Sequence, residues 1–249
     1  MYRVLSLFAG IGGFDLGLER TGGFKTVAFC EIDPFCQRVL AKHWPGVPCY
    51  DDVRQLTAER LREDNIAVDV ICGGFPCQEI SSAGTRLGLS GERSGLWSEY
   101  ARIAGELRPK YIVIENVAAL SFRGLATILG RLAALGYDAE WHCIPAASVG
   151  APIPRDRLWI VAFPTGGGLE EDQPLRSAIA AALEGVRRTS VDLCGYALSV
   201  GDSWLSDAHD ARVDHGLPFK TYRLRGLGNA VVPQIPEMIG RAILASEAA

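Results

Sequence analysis

Short apolar runs alternate along this chain with segments of helical length, and that alternation predicts an α/β fold. Strands are expected over Arg3 to Phe8, Lys25 to Glu31, Val68 to Cys72, Tyr111 to Glu115, Asp138 to Ile144 and Leu158 to Phe163. Helices are expected over Gly13 to Thr21, Pro34 to His43, Ser94 to Leu107 and Gly124 to Leu135. Strands and helices taken in turn favour a mostly parallel central sheet with helices on both faces. After Pro164 the texture changes, as Thr165-Gly166-Gly167-Gly168 opens an Ala-rich stretch and then a segment rich in Asp, His and Ser. Such a change is a boundary signal. The apolar pattern resumes near Tyr222 and ends in a helix expected over Ile235 to Ala245, packing back on the sheet. The chain therefore divides into 1–163, 164–221 and 222–249.

A length of 249 residues with 48% hydrophobic content suits one such domain with a small insertion. The net charge of −4 lacks the broad basic footprint typical of nucleic-acid binders. Charge averages over faces, however, and arginines pair at Arg155 and Arg157, Arg187 and Arg188, and Arg223 and Arg225. Each pair either lines a groove or is solvated surface. Met1 to Leu5 runs into a strand pattern without the features of a signal peptide, and no apolar run approaches the roughly 20 residues of a membrane span. A cytoplasmic protein is expected. Seven cysteines without a Cys-x-x-Cys pair argue against both a disulfide framework and a zinc site. His209 and His215, among Asp207, Asp210 and Asp214, read as a solvated loop, so no metal is assigned.

Cys77 stands out because Gly73-Gly74-Phe75-Pro76-Cys77-Gln78 follows the apolar run Val68 to Cys72. A thiol just beyond a strand lies where open α/β sheets gather ligands, and cysteine readily becomes a nucleophile near neutral pH. Taken alone, it is equally an ordinary small apolar residue. Leu7-Phe8-Ala9-Gly10-Ile11-Gly12-Gly13 is a strand opening into a helix through closely spaced glycines, a turn that lets backbone approach a ligand. Glu31, nineteen residues after Gly12, is where a dinucleotide-type fold presents a carboxylate to ribose hydroxyls. Asp51-Asp52-Val53 follows the next helix and either accepts from an adenine amino group or forms a plain turn.

Taken together these residues resemble the DNA (cytosine-5) methyltransferases of bacterial and phage type, which use S-adenosylmethionine. The likeness is an ordered series: Phe8 to Gly13, Glu31, Asp52-Val53, Pro76-Cys77-Gln78, Arg93-Ser94-Gly95-Leu96-Trp97, Glu115-Asn116-Val117, Arg155-x-Arg157 and Gly228-Asn229-Ala230-Val231. It implies a Rossmann-like class I methyltransferase fold, with 1–163 as the catalytic and cofactor-binding domain. A short target-recognition segment would occupy 164–221, with a C-terminal return over 222–249. The resemblance assigns S-adenosylmethionine to Phe8, Gly10, Gly12, Glu31, Ile32, Asp52, Val53, Pro76, Leu96 and Asn229. It makes Cys77 the nucleophile that adds to cytosine carbon 6, because carbon 5 of the free ring attacks a methyl sulfonium poorly. Glu115, kept protonated by burial, would meet charge developing toward ring nitrogen 3. Arg155 and Arg157, on one face of a strand, would lie near the cytosine carbonyl and Glu115, with Asn116 fixing Glu115 or the neighbouring backbone.

The same resemblance implies a cytosine flipped out of double-stranded DNA. Gln78, Ser81, Arg86 and Arg93 would contact that DNA from a glycine-containing lid over Gln78 to Arg93. A monomer is expected, with a cognate restriction enzyme as a compatible partner. Two departures from the family pattern stand out. Ile153-Pro154 occupies positions where the family has Gln and a polar or basic residue. The 164–221 segment is short and acidic, with five Lys and Arg against nine Asp and Glu. Alternatives are a tRNA cytosine-5 methyltransferase, disfavoured by Phe75-Pro76-Cys77 where that branch has Pro-Pro-Cys, and a silent DNA-binding homologue, disfavoured by the joint presence of Cys77 and Glu115. A nicotinamide dehydrogenase would explain the glycine turn but neither of those two residues.

Overall fold

In the computed structural model, which describes residues 1–76, 95–151, 155–166 and 230–248, the described elements run in chain order. They are β1 (Tyr2–Leu7), α1 (Gly13–Arg20), β2 (Phe24–Cys30), α2 (Pro34–His43), β3 (Cys49–Tyr50), α3 (Ala58–Glu63), β4 (Val70–Gly73) and α4 (Gly95–Leu107). There follow β5 (Tyr111–Val117), α5 (Leu120–Arg123), α6 (Leu125–Ala134), β6 (Tyr137–Pro145), a 3₁₀ turn (Ala146–Val149), β7 (Asp156–Pro164) and α7 (Gln234–Ala248). The strands form one seven-stranded sheet in the order β3-β2-β1-β4-β5-β7-β6. β1 to β5 pair in parallel, whereas β7 runs antiparallel to both β5 and β6.

Alternate residues of the central strands feed two apolar layers. Leu5, Ile71, Ile112 and Ile114 face one layer, filled by Leu61 of α3, Tyr100 and Ile103 of α4 and Leu132 of α6. Val4, Val70 and Val113 face the other, filled by Phe14 and Leu18 of α1 and Ile235, Ile239 and Ile243 of α7. Both faces of β1, β4 and β5 are thus covered, and strands covered on both sides read as continuous apolar runs. Local signals set the helix starts. Asp33 accepts from the Phe35 amide at 2.8 Å with Pro34 at the first helical position, and Thr57 Oγ1 accepts from the Arg60 amide at 3.1 Å. At the amino edge of the sheet Glu247 of α7 accepts from Tyr2 and, at 2.9 Å, from the Tyr111 hydroxyl. Lys110 Nζ lies 2.5 Å from the same carboxylate, so α7 is fastened where β1 and β5 begin.

The expected strands and helices all appear, with ends displaced by a few residues. β3, α3 and α5 were not anticipated, and their lengths of two, six and four residues explain it: less than two helical turns, or one pair of residues, carries no readable period. The antiparallel β7 was likewise not foreseen within the mostly parallel sheet. Among the described residues no helix is long and apolar enough to cross a membrane. Cys77, Gln78, Ser81, Arg86, Arg93, Ile153, Pro154 and Asn229 lie outside the described residues, as do residues 167–229 of the expected recognition and return segments.

Candidate active site

Strand order reverses between β1 and β4, since β1 leads outward to β2 and β3 while β4 leads to β5. In open α/β sheets the crevice at the carboxyl ends of two such strands is where ligands bind. An open cleft lies there. The turn from β1 into α1 supplies Phe8, Ala9, Gly10, Ile11, Gly13 and Phe14; the far side comes from Gly73, Gly74 and Glu115, with Ala230 and Val231 from the segment before α7. Ser6 of β1 completes it.

The turn is held in an unusual backbone. Gly10 and Gly12 take φ of 56° and 82°, and so does Phe8 at 54°, a conformation that costs a side-chain-bearing residue about 1 kcal/mol or more. A Cβ on Gly12 would stand 2.5 Å from the ring of Trp44. Glu31, at the end of β2, ties the turn down: Oε2 accepts from the Gly10 amide at 2.7 Å and Oε1 from the Asp33 amide at 2.8 Å. Trp44 itself is steadied by Nε1 donating to Glu19 at 2.9 Å. Ser6, Gly13, Phe14, Gly73 and Gly74 line the cleft without having been singled out as ligand-binding positions, and Trp44 packs behind it. The only sequence signal for them was adjacency to the two glycine-containing runs.

Glu115 projects from β5 into the cleft with its side chain 12% exposed, and Arg157 Nε of β7 lies 2.9 Å from Oε1. The antiparallel pairing sets this contact, because Val117 is opposite Arg157 and Glu115 opposite Trp159. Burial pushes the Glu115 carboxyl above the usual range, against the pull of Arg157 and Arg155. Burial together with Arg157 lowers the Arg155 guanidinium, with Glu115 opposing. Arg155 turns its hydrogen bond elsewhere, donating from Nη1 to the Ala230 carbonyl at 2.7 Å. It therefore fastens β7 to the cleft wall. Gly74 must stay bare, since a Cβ there would come within 2.7 Å of Glu115 Oε2.

Asn116 is buried and spans two backbone groups, Nδ2 donating to the Phe75 carbonyl at 3.0 Å and Oδ1 accepting from the Val117 amide at 2.9 Å. It fixes neighbouring backbone, two residues ahead of Cys77. Replacing Asn116 with alanine leaves the buried Phe75 carbonyl unpaired and is expected to cost about 1–3 kcal/mol. Urea denaturation measures this, and an unchanged midpoint at unchanged slope would remove Asn116 as the anchor of that segment.

The other expected cofactor residues spread along the carboxyl edge outside the cleft lining. Asp52 Oδ1 accepts from the Arg54 amide and Nε at 3.0 and 3.2 Å. Val53 is buried, Ile32 is 63% exposed, Pro76 is exposed and Leu96 half-buried at the start of α4. Among the described residues no group of His, Cys, Asp and Glu is arranged to hold a metal.

The family model of C-5 cytosine-specific DNA methylases matches residues 2–189. The Type II methyltransferase M2.BsuMI of Bacillus subtilis is 34% identical over 168 residues, covering 64% of this chain and 41% of the relative. M.Eco47II of Escherichia coli, also a Type II methyltransferase, is 41% identical over 168 residues, covering 65% of this chain and 39% of its own length. This chain thus spans about two fifths of the length of those relatives. Among solved structures, one described as a DNA modification methyltransferase encoded within an E. coli prophage superposes with a TM-score of 0.56 at 28% identity, covering 66% of this chain and 47% of the other. A cleft at the β1/β4 switch point, a carboxyl held in it by an arginine two residues from another, and a match over residues 2–189 converge on one conclusion: this chain belongs to the C-5 cytosine-specific DNA methylases.

Proposed function

We propose that this chain transfers a methyl group from S-adenosylmethionine to carbon 5 of a cytosine flipped out of a specific sequence in double-stranded DNA, through a covalent adduct of Cys77 at carbon 6. The observation that carries it is Glu115: a carboxyl inside the cleft, raised by burial toward its protonated form, with Gly74 packed against it three residues ahead of Cys77. S-adenosylmethionine fits the cleft, because the left-handed turn at Gly10 and Gly12 keeps side chains out and Glu31 braces it from below. Phe8, Gly10 and Gly12 would shape its pocket, Glu31 would take the ribose and Asp52 the adenine, with Ile32, Val53, Pro76, Leu96 and Asn229 completing the contacts. When bound, the cofactor supplies an electrophilic methyl on a sulfonium.

The chain's own groups do the rest. The Cys77 thiolate forms a bond to carbon 6 and drives electron density toward ring nitrogen 3, where Glu115 donates its proton. Arg157 orients Glu115, and Arg155 keeps β7 joined to the cleft wall. Once carbon 5 carries the methyl group, its proton leaves to water, the carbon–sulfur bond breaks with Cys77 departing as thiolate, and ring nitrogen 3 returns its proton to the Glu115 carboxylate. Gln78, Ser81, Arg86 and Arg93 would hold the DNA, and 164–221 would select the sequence. The chain would act as a monomer in the cytoplasm, at the nucleoid, and a cognate restriction enzyme is a partner consistent with its Type II relatives.

Transfer of labelled methyl to duplex DNA, single-stranded DNA and tRNA, followed by bisulfite mapping of the duplex, tests this. Label on duplex cytosine within one short sequence is expected. Label confined to tRNA, or none with the cofactor bound, would overturn it.

A further inference from the structure

Asp15 is a carboxyl that the mechanism above does not use. It sits in the first turn of α1, fully buried. Ser6 Oγ donates to its Oδ2 at 2.9 Å and Thr26 Oγ1 to its Oδ1 at 3.1 Å, both hydroxyls being buried too. Ser6 lines the cleft, as do Gly13 and Phe14 on the chain just before Asp15. The carboxyl is therefore hydrogen-bonded directly to a residue of the cleft wall. Among the described residues no cation pairs with it, and the nearest charged influence is Glu19, of the same sign. Cys72, the other titratable group facing it, has its thiol pushed well up by burial and by Asp15 itself. An amide of the same shape would keep one of these bonds as it stands and the other once its hydroxyl turned to accept. A carboxylate adds a negative charge behind a cleft that would receive a cation, in a site where field is weakly screened.

We propose that Asp15 is a specificity-determining residue whose charge makes the cleft prefer the cationic sulfonium donor over its neutral thioether product. The inference rests on the cleft being the S-adenosylmethionine site. Burial raises the Asp15 carboxyl to about 7, with the two hydroxyls opposing, so it is mostly ionised at a pH one unit higher. A cation in the cleft would favour that form further, as reciprocal linkage requires.

The test is calorimetric binding, about one pH unit above the Asp15 value, of S-adenosylmethionine, S-adenosylhomocysteine and an analogue bearing an ammonium in place of the sulfonium. Wild type and Asp15→Asn are compared. The substitution is expected to weaken both cations by about fivefold and to leave the thioether unchanged. Equal weakening of all three, or of none, would overturn the proposal. If Asp15→Asn does not fold, protons released on binding near pH 7 are measured for the wild type in two buffers of different ionisation enthalpy. Glu115→Gln, run beside it, removes the carboxyl that lines the cleft itself. Greater release with the sulfonium than with the thioether in both proteins is expected, and equal release would overturn the idea. Wild type binding neither nucleoside would instead overturn the assignment of the cleft itself.

Discussion

Replacing Cys77 with serine is expected to lower methyl transfer by roughly a thousandfold or more, the scale on which loss of a nucleophile is felt. Cofactor affinity should be unchanged. Thiols reach a few per cent of thiolate near neutral pH and are intrinsically nucleophilic, whereas a serine hydroxyl has almost no alkoxide there. Carbon 6 would lack its attacking group, and carbon 5 would keep its poor reactivity toward a sulfonium. The surroundings favour a clean experiment, because the segment entering Cys77 is anchored upstream: Asn116 grips the Phe75 carbonyl, and Phe75 is buried against Trp97 with ring centroids 5.4 Å apart. Neither contact involves the sulfur. Single-turnover transfer and calorimetric binding of S-adenosylmethionine measure the two effects separately. Appreciable transfer by the serine protein would sink the covalent route.

Glu115→Gln should slow turnover by about a hundred- to a thousandfold, the usual consequence of removing a donor aimed at developing charge. The amide keeps the shape but gives up the proton. The pH dependence follows from the direction of the Glu115 shift. Its carboxyl is raised in the folded chain, mainly by burial, so the folded state holds that proton at pH values where the unfolded chain has lost it. Stability contributed by the protonated form is fully present below the ordinary glutamate value and is lost as pH rises through the folded value. Wild-type stability, measured relative to Glu115→Gln, is therefore expected to fall with rising pH across that window. Wild-type activity should fall through the same window on its alkaline side. Denaturation midpoints and rates of both proteins, followed against pH, check this together. A difference in stability that does not vary with pH would mean that Glu115 is ionised throughout, paired with Arg157 as an ordinary ion pair.

Much of the architecture could be read from the chain because its strands are covered on both faces. Val4-Leu5 and Val70-Ile71 send consecutive apolar residues to opposite layers, which leaves runs that survive without knowledge of strand order. The long helices were legible as segments of helical length between those runs. Glu31 was read from its spacing as a carboxylate for ribose hydroxyls, and its contact with the glycine turn, the Gly10 amide at 2.7 Å, came only from the structure. Arg155 and Arg157 were expected to act alike near Glu115. Only Arg157 pairs with it, while Arg155 reaches the Ala230 carbonyl.

The order of residues by itself determined the alternation of strands and helices, the glycine turn, the placing of Cys77 beyond a strand, and through the joint presence of those motifs the family. These are properties of local spacing, and spacing is written in the chain. The tertiary structure alone decided that Arg157 and not Arg155 meets Glu115, and that Asp15 lies buried behind the cleft. Ser6, Asp15 and Thr26 come together across β1, α1 and β2. Register and burial create that contact, and both depend on how strands pair, which no short stretch of sequence encodes.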